Sequence, residues 1–208
     1  GTKIPTIKSA LILAQNGDSI LVSKGVYKEQ NIIINKSVFL IGIGRPVLDG
    51  EDKYEIITVK ADFVIIDGFN FVHAGKYSYN DLAALKIIDA KDVLIQNNFF
   101  ENSFFGIYCQ QTTRTIIYKN TLYSNAKDEI NSANGIHCWQ SDQLMILQNT
   151  ISGHRDGIYF EFVTNSKIEK NNSFNNVRYG LHFMFSNYNK YIANIFRDNG
   201  AGVAVMFS

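Results

Sequence analysis

A set of residues able to bind soft metals or stack on rings recurs at matching places behind a series of glycines. Tyr108 and Gln110 follow Gly106, His137 and Trp139 follow Gly135, and Tyr159 and Glu161 follow Gly157. His182 and Met184 follow Gly180, and Ala204 and Met206 follow Gly202. Copper(I) favours thioether sulfur and accepts imidazole, so His182, Met184 and Met206 form a candidate low-coordinate copper site. His137, Trp139, Tyr159 and Glu161 form a candidate partner or transfer surface, because contiguous exposed Met and Trp mark contact regions. The competing reading is that a flanking loop or further coils cover this surface.

These residues act together only if the chain repeats. The glycines are spaced 29, 22, 23 and 22 residues apart. A second column, Asn98, Asn120, Asn149, Asn171 and Asn194, is spaced 22, 29, 22 and 23. Two columns sharing one period predict a solenoid of roughly 22-residue coils, each too small to bury its apolar face alone. The predicted fold is an all-β, right-handed parallel β-helix forming one domain over 1–208, with the cap and first coils in 1–50 and repeated coils in 51–208. Insertions fall near 73–81 and 125–134, where two intervals run long; in a solenoid such insertions emerge as surface loops. Thr6 to Gln15 has the apolar spacing of a short capping helix, with Thr6 as N-cap. The last coil shows no cap, and a truncated C-terminal end is expected.

Alternation after each glycine sorts the strands. Ile107/Cys109, Ile136/Cys138, Ile158/Phe160/Phe162, Leu181/Phe183/Phe185 and Val203/Val205/Phe207 are assigned to the core, and the chemically interesting set points outward. Coils stack about 4.8 Å apart, so Met206 lies over Met184 while His137 is too far from His182 to share an ion with it. The outward set contains no Lys or Arg. Cys109 and Cys138 are expected as buried apolar residues rather than a disulfide, because in-register parallel Cβ atoms lie too far apart for a relaxed bridge. At the coil corner, Asp156 is expected to bridge Arg155 and Arg178 in a structural role, and His73 to be a solvated loop residue.

With Lys+Arg 20 against Asp+Glu 19, the net charge of +1 gives no reason to expect nucleic acid or an anionic membrane as partner. No apolar run is long enough to span a bilayer. No zinc-site cysteine spacing or P-loop is present.

The runs GHRDGIY and RYGLHFMFS, within the stretch from Asn134 to Ser208, resemble the NosD family of copper-maturation proteins. The resemblance implies a periplasmic, non-enzymatic assembly factor that handles copper transiently for nitrous oxide reductase. It implies that reductase, an ABC transporter membrane subunit and a copper chaperone as partners, without insertion in the membrane. The coil pattern alone is shared with many sugar-processing β-helices. The alternative is therefore a polysaccharide lyase, hydrolase or epimerase, with Asp156 and Glu161 as acids flanked by Tyr108, Trp139 and Tyr159, or a sugar-binding module. Against the enzyme stand the wide spacing of that acid pair and the lack of a basic groove.

Overall fold

The computed structural model describes residues 4–76 and 81–208. Three parallel sheets of eight strands each run along it, so the chain makes eight coils of three short strands. One coil consists of Met145–Leu147, Thr150–Ser152 and Asp156–Glu161. The next repeats it as Lys167–Glu169, Asn172–Phe174 and Tyr179–Met184. Every step along a sheet pairs like position with like position: Ile107, Ile136, Ile158, Leu181 and Val203 are successive partners. Their side chains, with Ile117, Ile146 and Ile168 from a second sheet, form one continuous apolar core. The expected parallel solenoid is what the sequence folds into.

The asparagine column makes the corner between two of the sheets. Each amide oxygen accepts from a main-chain N–H of the preceding coil: Asn120 from Asn98 at 3.0 Å, Asn149 from Asn120 at 2.9 Å, and Asn171 from Asn149 at 2.9 Å. Each amide nitrogen donates to a main-chain carbonyl, as Asn149 does to Ile117 at 2.9 Å. Buried main-chain groups that a bend would orphan are thereby satisfied. The left-handed residue of the bend is the one before each asparagine: Asn97, Lys119, Gln148, Lys170 and Ala193 all have φ between 53° and 55°. Asparagine is needed here for its reach to the preceding coil, not for its tolerance of that conformation.

The N-terminal helix covers the first coil as expected, spanning Ile7–Leu13, with the Thr6 hydroxyl accepting from Ser9 N at 3.0 Å. Ile7, Ala10 and Leu11 are buried beneath it. Its ends are fastened by charges of the sign that free helix ends attract. Glu29 accepts from Ile7 N and Lys8 N at 2.7 and 2.9 Å. Lys36 Nζ donates to the carbonyls of Leu11, Ile12 and Ala14 at 2.7–2.9 Å.

Four core assignments are corrected. Val205, in the last coil, is 58% exposed although its register partner Phe183 is buried. Phe162, Phe185 and Phe207 adopt φ of 53°, 49° and 53°, so the strand's alternation stops before them and the ring leaves the interior. They are 45%, 42% and 77% exposed and stack on one another, with centroids 5.1 and 5.0 Å apart. The second insertion, 125–134, leaves after Thr121–Tyr123 and returns at Ile136–Trp139. Asp128 folds it by accepting from Ile130 N and Asn131 N at 3.1 and 2.8 Å. Part of the first insertion, 77–80, lies outside the described residues.

A second corner column reads His154, Asn176, Asn199, with His154 N donating to Asn176 Oδ1 at 3.0 Å and Asn176 N to Asn199 Oδ1 at 2.9 Å. His154 is buried and neither ring nitrogen has a hydrogen-bond partner. Burial pushes its imidazole down to about 3 from 6.5. Between those values the unfolded chain binds a proton that the folded chain refuses, so stability is full above about pH 6.5 and falls as pH drops towards 3. His154→Asn, which extends the amide column, should flatten the loss of unfolding free energy between pH 6.5 and 4 by up to roughly 1.4 kcal/mol per pH unit. Denaturant titrations across that range check it, and an unaltered acid slope would exclude His154 as a contributor.

Candidate active site

The third sheet turns one face away from the core, and there the parallel register stacks Lys86, Tyr108, His137, Tyr159 and His182 in a single column. From Tyr108 onward the ring centroids are 4.6, 4.8 and 4.7 Å apart. Two residues further along each strand lies a second column, Trp139, Glu161, Met184 and Met206. From Tyr108 onward both columns line a cleft of about 770 Å³, together with Phe104, Phe105, Ile130, Ser132 and Ala133.

The column faces outward as alternation requires, yet it is not an exposed strip. His137 is 8% and His182 3% exposed. Phe105 and Ala133 pack with Tyr108, and the Phe105 ring meets His137 edge-on at 5.2 Å. A flanking loop does cover part of this surface.

The larger correction concerns charge. Arg155 and Arg178 line the same cleft, and Lys86 precedes Tyr108 in the column, its Nζ 2.7 Å from Glu55 Oε2. The arginines stand before the strand glycines, outside the alternating run used to sort the faces, so parity alone missed them. Nor does Asp156 bridge the two. Its fully buried carboxylate accepts from Arg178 Nε at 2.9 Å and Nη2 at 2.6 Å, and pairs with His182 Nδ1 at 3.2 Å. Burial works to raise the Asp156 carboxyl, but the bonds from His182 and Arg178 outweigh it and hold the group below the usual carboxylate value. Arg155 instead donates to Asn134 Oδ1 at 3.4 Å. Among the described residues it forms no ion pair, and burial beside Arg178 lowers its pKa. A desolvated guanidinium without a counter-ion favours an anionic ligand.

The two histidines take opposite roles. The carboxylate at Nδ1 accepts from His182, so that when the ring carries a single proton Nε2 holds the lone pair; that atom is buried and has no partner among the described residues. His182 is thus oriented as a base, in the manner of a histidine held by an acid. Arg155 donating to Asn134 Oδ1 directs the Asn134 amide nitrogen at His137 Nδ1, 2.9 Å away. His137 therefore carries its proton on Nε2. Burial, then the Arg155 charge, lowers its imidazole to about 3, making it a neutral hydrogen-bond donor. Burial, then nearby Glu161, pushes the Tyr159 phenol up to about 12. The Tyr159 ring lies between the two imidazoles, and its hydroxyl is held protonated.

The copper-site residues His182, Met184 and Met206 line one cleft, with Met184 and Met206 in register on adjacent coils. No cluster of three or more His, Cys, Asp or Glu able to hold a metal occurs among the described residues. Cys109 and Cys138 are register partners, buried and unbridged. His73 is half exposed and pairs with Asp49 at 2.9 Å.

An eight-coil parallel solenoid carrying a polar cleft on one sheet defines the class of protein. The chain belongs to the right-handed β-helix family, whose model, described as "Right handed beta helix region", matches residues 47–208. No curated protein matches the chain in sequence. Among solved structures it is similar to an alginate lyase from Paenibacillus, at 14% identity and a TM-score of 0.47 over 94% of this chain and 96% of that one. The mannuronan C-5 epimerase A-module of Azotobacter vinelandii gives 11% identity and 0.41 over 94% and 90%. A pectin methylesterase from Aspergillus niger gives 12% and 0.29 over 94% and 82%. These likenesses show a shared fold alone. The expectation of a non-enzyme finds no support among them, since the proteins named are an epimerase, a lyase and an esterase. The basic groups said to be missing from the outward face are present in the cleft.

Nitrogen-15 spectra of the imidazoles provide a check on the assigned roles. His137 should appear as the Nε2–H tautomer and stay neutral down to about pH 4. A His137 that titrates near 6.5 would contradict the assignment.

Proposed function

We propose that the cleft binds an acidic polysaccharide and removes the proton α to the carboxylate of a uronate unit. The observation that carries this reading is the Asp156–His182 pair, with its unpartnered Nε2, set in one cleft with the unpaired Arg155 guanidinium. Arg155 supplies charge for the substrate carboxylate, and the His137 Nε2–H adds a neutral donor for the negative charge that develops there. On this reading substrate displaces the Tyr159 and Tyr179 rings packed on His182, whose Nε2 takes the C5 proton, and Asp156 stabilises the imidazolium that results. Tyr159 then gives its phenolic proton to the glycosidic oxygen as the C4–O4 bond breaks and the C4=C5 bond forms. Delivery of that proton to the opposite face of C5 would instead yield the epimer. Trp139, half-buried at the cleft, offers a ring for sugar stacking.

Both outcomes share the first step, so the test follows C5 itself. Polymannuronate, polygalacturonate and polyglucuronate incubated with the protein in deuterium oxide should gain deuterium at C5 or develop the ultraviolet absorbance of an unsaturated uronate. His182→Ala and Tyr159→Phe should each lower turnover by about 10²–10⁴-fold. Arg155→Ala should act mainly by raising KM. Neither exchange nor elimination on any of the three polymers would refute the proposal.

A second reading is favoured by one observation, the register of Met184 with Met206 beside His182. On it the cleft holds copper(I), in keeping with the resemblance of GHRDGIY and RYGLHFMFS to the NosD family. The chain would then work in the periplasm alongside nitrous oxide reductase, an ABC transporter and a copper chaperone. Copper(I) titration of the wild type and of a Met184→Ala/Met206→Ala double variant tests it. Binding should weaken at least tenfold in the variant, and equal affinities would exclude the site.

A further inference from the structure

His73 and Lys76, at the start of the first insertion, and residues of the second line a second pocket, distinct from the column of rings. It encloses about 260 Å³. Asp52, His73 and Lys76 line one side, Asn102 and Ser103 the floor, and residues 124–126 and 131–133 the other. Phe104, Ser132 and Ala133 line both this pocket and the cleft, so the two share a wall. We infer that this pocket binds one sugar unit of the polysaccharide chain that occupies the cleft. The identity of the sugar rests on the uronan reading of the cleft; the existence of the site does not.

The pocket is built to hold something polar. Ser103 is 2% exposed and lines it, yet among the described residues its hydroxyl has no hydrogen-bond partner. The Asn102 Oδ1 atom is likewise buried and unpaired. Buried polar atoms are ordinarily satisfied, and two unmet ones on adjacent residues in the wall of one cavity mark where ligand groups bind. Asn102 is held at φ 51°, a conformation that Asn tolerates better than most residues.

Size and lining narrow the ligand. The volume far exceeds the roughly 30 Å³ of a single water and falls below the range of about 300–1,000 Å³ usual for drug-sized ligands. Amides, hydroxyls, the Asp52 carboxylate, the Lys76 ammonium and the His73 imidazole surround it, with Phe104, Ala126 and Ala133 as the apolar surface. Vicinal hydroxyls, each both donor and acceptor, match that inventory. A bare cation or an apolar molecule does not.

The experiment measures binding and turnover separately, using free glucuronate and long and short oligouronates as probes. Saturation-transfer NMR should detect glucuronate on the wild type and equally on the cleft variant His182→Ala. Ser103→Ala and Asn102→Gly should each weaken that binding by roughly tenfold, without lowering the thermal midpoint. If the cleft acts on uronans, the same two variants should raise KM for long oligomers and leave short ones unchanged. With uronate binding in the cleft removed by Arg155→Ala, binding that survives both pocket variants in folded protein would overturn the inference, whatever the activity. Glucuronate binding that depends on Ser103 in a protein without uronan turnover would uphold this site while refuting the reading of the cleft.

Discussion

The structure depends on one constraint: parallel strands stacked in register, so that each side chain sits against its counterpart one coil away. The interior follows directly, because isoleucine upon isoleucine yields a continuous core without any long strand or helix. The constraint also explains the glycines. A Cβ at Gly135 would lie 2.8 Å from the Gly157 carbonyl and 2.6 Å from the Ile151 side chain. Corners close only if main-chain groups lost to the sheets find partners in the next coil. The asparagine column supplies them, and where His154 interrupts the second column the ring is left with nothing to bond.

The same rule that builds the core builds the cleft. Register puts Tyr108, His137, Tyr159 and His182 within ring contact although they are 22 to 29 residues apart in sequence. A column of alternating phenols and imidazoles repeated at coil spacing offers acid, base and donor groups close together, and their differing surroundings separate the roles. Asp156 turns one histidine into an acceptor at Nε2, while Asn134 turns the other into a donor. Burial contributes as much as bonding, since it keeps His137 neutral and the Tyr159 hydroxyl protonated.

Much of this was legible in the residues. Period, core parity, capping helix and the asparagine ladder are local or repeating features, and each followed from spacing and residue type. Parity failed at two places for physical reasons. It assumed an extended strand through Phe162, Phe185 and Phe207, where the backbone is left-handed. It also stopped at the glycines, so Arg155 and Arg178 were assigned to a corner with Asp156 rather than to the cleft. A count of alternating positions has no information about how far a guanidinium reaches.

The sequence by itself determined the solenoid, because a 22-residue period with apolar alternation has no other way to bury its surface. It determined which side chains share the outward column, since parallel register follows from the period. Only the tertiary structure decided what that column does. Which nitrogen of each imidazole is free depends on Asp156 and Asn134, residues 26 and 3 positions away from the rings they orient. Whether the column is open or covered depends on Phe105 and the 125–134 insertion folding across it. Those contacts lie between coils and loops that no spacing rule connects, and they turn a row of aromatic residues into a cleft with a base, an acid and an unpaired cation.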